Sequence, residues 1–189
     1  FEPEEVSSWE AGWKATLFHG RMTSRLAVFT ANYTDVQIPG SVAVDEDGDG
    51  VAEQYVGITT NAADADIDGV EWEARSILAE DLGVPGARLD LSWALGLIDA
   101  GFNEYIDENG NDVADQRGFA NTPGWTAAVA FDYAIPVAWF GRPGELVVIT
   151  TLAAFDDQIQ FEYPDPLFDQ EAYAVWDLSV VWSDAAGRW

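Results

Sequence analysis

The chain has 189 residues, enough for one domain with a sizeable core or a piece of something larger, and carries 34 acidic side chains against 8 basic ones. Its formal charge of −26 excludes a general nucleic-acid binder, which needs Lys and Arg to displace counterions, and a protein held to anionic lipid by a basic patch. With no Cys and only His19, disulfide frameworks, thiolate nucleophiles, Cys-type zinc sites, His-based triads and multi-His metal centres are excluded together.

Taken in chain order, the sequence pattern has period two. In a first segment, 6–17, Trp9, Ala11, Trp13, Ala15 and Leu17 alternate with Glu10, Gly12, Lys14 and Thr16. A second segment spans 22–36 and a third 55–78. The fourth, 87–101, sets Leu89, Leu91, Trp93, Leu95 and Leu97 against Asp90 and Ser92. A fifth, 124–137, runs from Trp125 through Phe131 to Tyr133; a sixth spans 145–158. The seventh, 171–183, carries Trp176, Leu178, Val180 and Trp182 on one parity. Such alternation marks a strand with one apolar face, and helical spacing is sustained in none of these windows. The chain is expected to be all-β, with about seven strands.

The connections alternate in length. Short turns fall at 18–21, 83–86, 140–144 and 184–188, and long polar loops at 37–54, 102–123 and 159–170. Arg21, Arg88, Arg142 and Arg188 sit at the short turns. The long loops hold Asp45, Glu46, Asp47, Asp49 and Glu53, then Glu104, Asp107, Glu108, Asp112 and Asp115, then Glu162, Asp165 and Asp169. Tight turns on one side and elaborated loops on the other are what a sheet in a membrane produces. Aromatics punctuate strand ends on the expected apolar face: Trp9, Phe29 with Tyr33, Trp125 with Phe131 and Tyr133, Trp176 with Trp182. Six residues of strand separate the last pair, roughly 20 Å at about 3.3 Å per residue, close to the height of a membrane-facing apolar band. The pattern therefore predicts an antiparallel up-and-down transmembrane β-barrel. The competing reading of the same aromatics is the core of an ordinary β-sandwich. No run of about eighteen apolar residues offers a transmembrane helix.

Four segments resemble a known family. The stretch from Pro3, Glu4 and Ser8 through Glu10, Gly12 and Lys14 resembles the "PE…S-x-E-x-G-x-K" strand of TonB-dependent outer-membrane receptors. Gly20-Arg21 and the segment from Ala27 through Phe29, Tyr33 and Asp35 to Gln37 match the next hairpin. Asn61 through Ile67, Gly69, Val70, Glu71 and Glu73 is similar to their "NAG-x-A-x-I-x-GVE-x-E" strand, and Asn121, Pro123, Trp125 and Thr126 to their "N-x-P-x-W-T" start. All four occur in the family's order and cover most of the chain. The resemblance implies that residues 1–189 are a partial transmembrane β-barrel domain, the C-terminal part of a barrel of about 22 strands. The plug domain, the TonB-contacting segment and the final strands would then be missing. The opening at Phe1 in mid-pattern and the stop at Trp189 fit the same expectation of a fragment. Seven strands alone would leave two unpaired edges in lipid, so the wall is expected to be completed by other residues.

By the same resemblance the protein is an outer-membrane receptor that imports a scarce ligand, of the ferric siderophore, cobalamin, haem or glycan class, with energy from TonB. Its expected partners are the TonB system, a small ligand at the extracellular loops, and outer-membrane lipid and lipopolysaccharide. Physical parity agrees: Val70, Trp72 and Ala74 suit lipid, whereas Glu71, Glu73, Arg75, Glu10 and Lys14 suit a wet lumen. Asp64, Asp66 and Asp68 share the parity of Val70, so that stretch should rise above the membrane or be re-registered by a bulge at Gly69.

The sharpest local signal is Asp45, Asp47, Asp49 and Gly50. Oxygen ligands at positions one, three and five with Gly at six form the first half of an EF-type calcium loop. Glu53 stands at position nine, but Val56 occupies position twelve, where a bidentate Glu belongs. Asp45, Asp47, Asp49 and Glu53 are thus candidate Ca²⁺ ligands, the alternative being a solvated acidic loop. Asp107, Asn109, Asn111 and Asp115 form a weaker echo. No other cofactor is expected. The dense carboxylates Asp156, Asp157, Asp64 and Asp66 have no nucleophile or His partner beside them, so no catalysis is expected. His19 is expected in an exposed tight turn. Acidic loops favour a neutral, cationic or calcium-assisted ligand. Two rival readings stay open: a small plugless eight-stranded outer-membrane barrel, and a secreted, acidic, Ca²⁺-stabilised, glycan-binding β-sandwich.

Overall fold

The computed structural model describes residues 1–44, 54–107, 109–139 and 141–186, with side chains at 40–43 set aside. Seven strands follow one another: β1 (Glu5–Leu17), β2 (Met22–Val44), β3 (Gln54–Glu80), β4 (Arg88–Tyr105), β5 (Trp125–Trp139), β6 (Arg142–Phe155) and β7 (Tyr173–Asp184). They form one sheet in sequence order, every neighbour antiparallel. Among the described residues the remaining helical structure is two short 3₁₀ turns, Phe18–Gly20 and Ala114–Gln116. Among the described residues the sheet is not closed: β1 pairs only with β2, and β7 only with β6. The up-and-down all-β architecture expected from the alternation is what the chain adopts.

Register turns the period-two pattern into two continuous faces. Trp13 pairs with Leu26, Leu26 with Trp72, Trp72 with Leu95, Leu95 with Ala127, and Ala127 with Ala154. One row to one side, Val28 pairs with Val70, Val70 with Leu97 and Leu97 with Trp125; one row to the other, Trp93, Val129, Leu152 and Trp176 align. Among the described residues nothing covers this face: Trp9 is 77% exposed, Trp176 67% and Val180 60%. Among the described residues the buried apolar side chains are Ala63, Ala65, Ala74, Ala87 and Tyr105, and none is large and fully buried. A β-sandwich needs a second sheet packed on its apolar face. The described residues form a single layer, so the sandwich reading falls, and an apolar surrounding phase is what such a face requires.

The opposite face carries the charges. Arg25 pairs with Glu73 at 3.2 Å. Arg75 reaches Asp90 at 3.2 Å and Asp132 at 3.6 Å, and Arg88 reaches Asp90 at 2.9 Å. Glu10, Lys14, Arg25, Glu71 and Glu73 border an open trough of about 500 Å³ on this side. Glu71, Glu73 and Arg75 therefore stand on the face opposite Val70, Trp72 and Ala74, as their parity required.

Three local expectations change. First, Phe29 and Tyr33 lie on the charged face, because the apolar parity of β2 is that of Leu26 and Val28. Second, the ladder runs without a shift through Gly69, which pairs with Phe29 and Ile98. The bulges lie instead at Tyr33–Gln37 against β3 and at Asp64/Ala65 and Ile77/Ala79 against β4. Third, β2 runs to 23 residues, well past its expected end at 36, beside a β3 of 27 residues, whereas about 9–11 suffice to span a membrane. Residues 37–44 of the expected loop thus belong to β2. The β1 ladder ends at Thr34 and the β4 ladder at Ala63, so the outer parts of β2 and β3 pair only with each other, as a two-stranded ribbon. Pro39 is tolerated there because β2 has become an edge, where a missing N–H disrupts no central ladder.

Candidate functional site

The loops sort by length as the sequence suggested. Turns 18–21, 81–87 and 140–141 close one end, while 106–124 and 156–172 rise from the other. His19 lies exposed in the first short turn, with a left-handed φ of 56°.

The two long loops are folded into one another. The Gly118 N–H donates to the Glu162 carbonyl at 3.0 Å and the Asn121 N–H to that of Ile159 at 2.8 Å. A Cβ at Gly118 would stand 2.7 Å from Ile159 Cδ1, so a side chain there would have to displace that methyl group. Beneath this junction, Phe102 stacks on Phe119 with centroids 4.6 Å apart and meets Tyr105 edge-on at 5.1 Å. These rings are in register with Ala63 and Ala65, whose burial gives this end a small core on the charged side of the sheet.

Tyr105 joins the core to the loops. Its hydroxyl donates to Glu162 Oε2 at 2.9 Å, and burial, with Glu162 adding to it, pushes its phenol pKa up. The Arg117 guanidinium lies between two rings, 4.4 Å from the Tyr163 centroid and 5.2 Å from that of Tyr105. Beyond it the β6–β7 loop closes on itself. Gln158 and Gln170 exchange backbone bonds of 2.9 and 2.8 Å, and Phe168 and Asp169 N–H groups donate to the Asp165 carbonyl at 2.8 and 3.0 Å. Phe161 and Phe168 meet edge-on at 5.8 Å.

Of the proposed calcium ligands, Asp45, Asp47, Asp49 and Glu53 lie outside the described residues. In the weaker echo, the Asp107 carboxylate is turned into its own loop. Its Oδ1 accepts from Asn109 N at 2.9 Å and Asn111 N at 2.8 Å, bonds that hold its pKa below the usual carboxylate range, Asn111 contributing most. Asp112 Oδ1 accepts from Tyr105 N and Ala114 N, each at 3.1 Å. Among the described residues no three His, Asp or Glu side chains converge on a metal-sized space. Asp64 and Asp66 act locally as well: Asp64 Oδ1 accepts from Asp35 N at 3.0 Å, and Asp66 Oδ1 from Asn32 Nδ2 at 2.5 Å.

Sequence reasoning located the long loops but passed over Phe102, Tyr105, Arg117, Phe119 and Tyr163. One signal was available: Arg117 is the sole basic residue in loops otherwise crowded with carboxylates, and aromatics punctuate the same segments.

The arrangement supplies a wall with one apolar face, a charged opposite face and a joined loop layer at one end. Neither curated proteins nor solved structures yield a match. A family model described as TonB dependent receptor-like, beta-barrel, matches residues 1–188, nearly the whole chain. That family consists of outer-membrane transport receptors rather than enzymes. The chain therefore belongs to the TonB-dependent receptor β-barrel family.

Proposed function

We propose that this chain is part of the wall of a closed outer-membrane barrel that takes up a scarce ligand at its long-loop end. TonB supplies the energy through a part of the protein outside this segment. The observation that carries the reading is the joined layer of loops 106–124 and 156–172, built around Tyr105, Glu162, Arg117 and Tyr163, above a sheet whose other end is closed by tight turns. The ligand belongs to the siderophore-iron, cobalamin, haem or glycan class. A Ca²⁺ ion on Asp45, Asp47, Asp49 and Glu53 belongs to the same reading, as a charge that offsets the acidic loops for an approaching ligand.

The test is cellular uptake of labelled ferric complexes, cobalamin, haem and oligosaccharides by the receptor, with residues 107–121 and 157–170 replaced by short Gly-Ser linkers. Uptake of one probe is expected to fall to the level of cells without the receptor, and to vanish in cells lacking TonB. Undiminished uptake by a shortened receptor that still shows heat-modifiable gel mobility would overturn the proposal.

A further inference from the structure

The β6–β7 loop presents aromatic side chains in an unusual setting. Phe161, Tyr163 and Phe168 are each about three-fifths exposed and Leu167 is 86% exposed, on the loop layer rather than on the apolar wall. Phe161 and Phe168 meet edge-on, and water is a poor environment for exposed aromatics grouped in this way, which mark binding surfaces. The loop carrying them is held in shape from within. Besides the bonds already described, Asp165 Oδ1 accepts from Leu167 N at 3.0 Å and Asp169 Oδ1 from Gln160 N at 3.4 Å. The rings therefore stand on a preformed backbone and not on a segment that must order on binding.

Carboxylates surround them. Glu162, Asp165 and Asp169 each use one oxygen within the loop layer, which leaves the second to accept from a ligand. Cations are nearly lacking: Arg117 is the sole basic residue of the long loops, and its guanidinium is occupied against the Tyr105 and Tyr163 rings. An anionic ligand meets repulsion and no partner here. A ligand of many hydroxyls meets both things it needs, carboxylate acceptors for O–H groups and ring faces for the C–H faces of its pyranoses.

We infer that the β6–β7 loop, through Phe161, Tyr163 and Phe168 with Glu162, Asp165 and Asp169, is a binding surface for a neutral polyhydroxylated ligand, an oligosaccharide. This rests on the transport reading above and names the ligand class of the same mouth. Stacking places the sugar rings on the aromatics, and the free carboxylate oxygens select hydroxyl-rich neutral ligands over anionic ones.

The experiment uses the receptor in outer-membrane vesicles and a panel of neutral glucose, xylose and galactose oligomers, with a ferric hydroxamate complex and spermidine alongside. At least one neutral oligomer should bind, with an affinity indifferent to raising ionic strength from about 0.05 to about 0.5 M. The pair F161A/F168A should weaken it about tenfold, whereas F161Y/F168Y keeps it. Glu162→Gln retains an acceptor for the Tyr105 hydroxyl, so the loop layer stays intact, and should weaken binding severalfold through the lost carboxylate oxygen. Failure of every neutral oligomer while the ferric complex or spermidine binds overturns the inference. So does an affinity unchanged in both F161A/F168A and E162Q. Oligosaccharide binding without TonB-dependent uptake supports this assignment and overturns the transport reading. Loop-dependent uptake of a ferric complex, with no oligosaccharide bound, does the reverse.

Discussion

Phe29 lies over Gly69 on the charged face of the sheet, its directly paired neighbour across β2 and β3. A Cβ at position 69 would come within 2.6 Å of Phe29 Cε1 and 2.8 Å of Cε2, well inside van der Waals contact. Glycine is required there because the ring fills the space that any side chain would occupy. Gly69→Ala is expected to destabilise the barrel by about 1–3 kcal/mol through overpacking, and the double variant F29A/G69A should recover part of that loss. Urea unfolding of the receptor in lipid vesicles reads both effects; an alanine at 69 that leaves the midpoint where it was would show the contact to be unimportant. Sequence alone placed Phe29 among the girdle aromatics, because a large ring reads as apolar and its glycine partner lies forty residues away in the chain. Parity within β2 held the correction: Leu26 and Val28 are even-numbered, and Phe29 is not.

At the scale of elements, the β2–β3 hairpin is where the sequence reading and the structure part furthest. The alternation identified both strands but stopped β2 at 36, since Pro39 and Gly40 look like loop residues. What keeps the chain extended beyond that point is tertiary: Ile38 pairs with Thr60, Val42 with Val56 and Ala43 with Tyr55. The ribbon leaves the wall at a bulge where Asp35 adopts a left-handed φ of 55°. Asn61 clasps this point. Its Nδ2 donates to the Asp35 carbonyl at 2.6 Å and to the Glu2 carbonyl at 2.8 Å, while its Oδ1 accepts from Glu2 N. Asn61→Ala removes all three bonds, at a net cost of about 1 kcal/mol each when the freed groups turn to water. The ribbon should fray, so amide exchange at 54–60 should quicken while exchange in β4, β5 and β6 stays the same. Equal rates in the variant and the parent would remove Asn61 from this role. The joined loops follow the same logic. Their positions were legible from polarity and turn residues, but the contacts between Tyr105 and Glu162, 57 residues apart, depend on strand order that composition does not encode.

Across the whole molecule, one decision was made early by the sequence and governs the rest: which parity meets an apolar phase. Register makes that decision sharp, because a one-residue slip would turn every Leu and Trp of a strand to the charged side. Adjacent residues 94 and 95 of β4 test it directly. Leu95 stands between Trp72 and Ala127 in the middle of the apolar face, whereas Ala94 is paired with Glu73 and borders the charged trough. An arginine at 95 must put its guanidinium into hydrocarbon, a cost of about 2–4 kcal/mol near the bilayer midplane. The same arginine at 94 finds water and the Glu73 carboxylate, so Ala94→Arg should change stability by less than about 1 kcal/mol. Folding into lipid vesicles, followed by tryptophan fluorescence along a urea series, separates the two. If Ala94→Arg proves the costly one, the faces are assigned backwards. If both are harmless, lipid is not what the apolar face meets, and the transport reading loses its membrane. A large cost at 95 alone places the charged side of the sheet within a wet lumen, where the loop layer can hand a captured ligand inward.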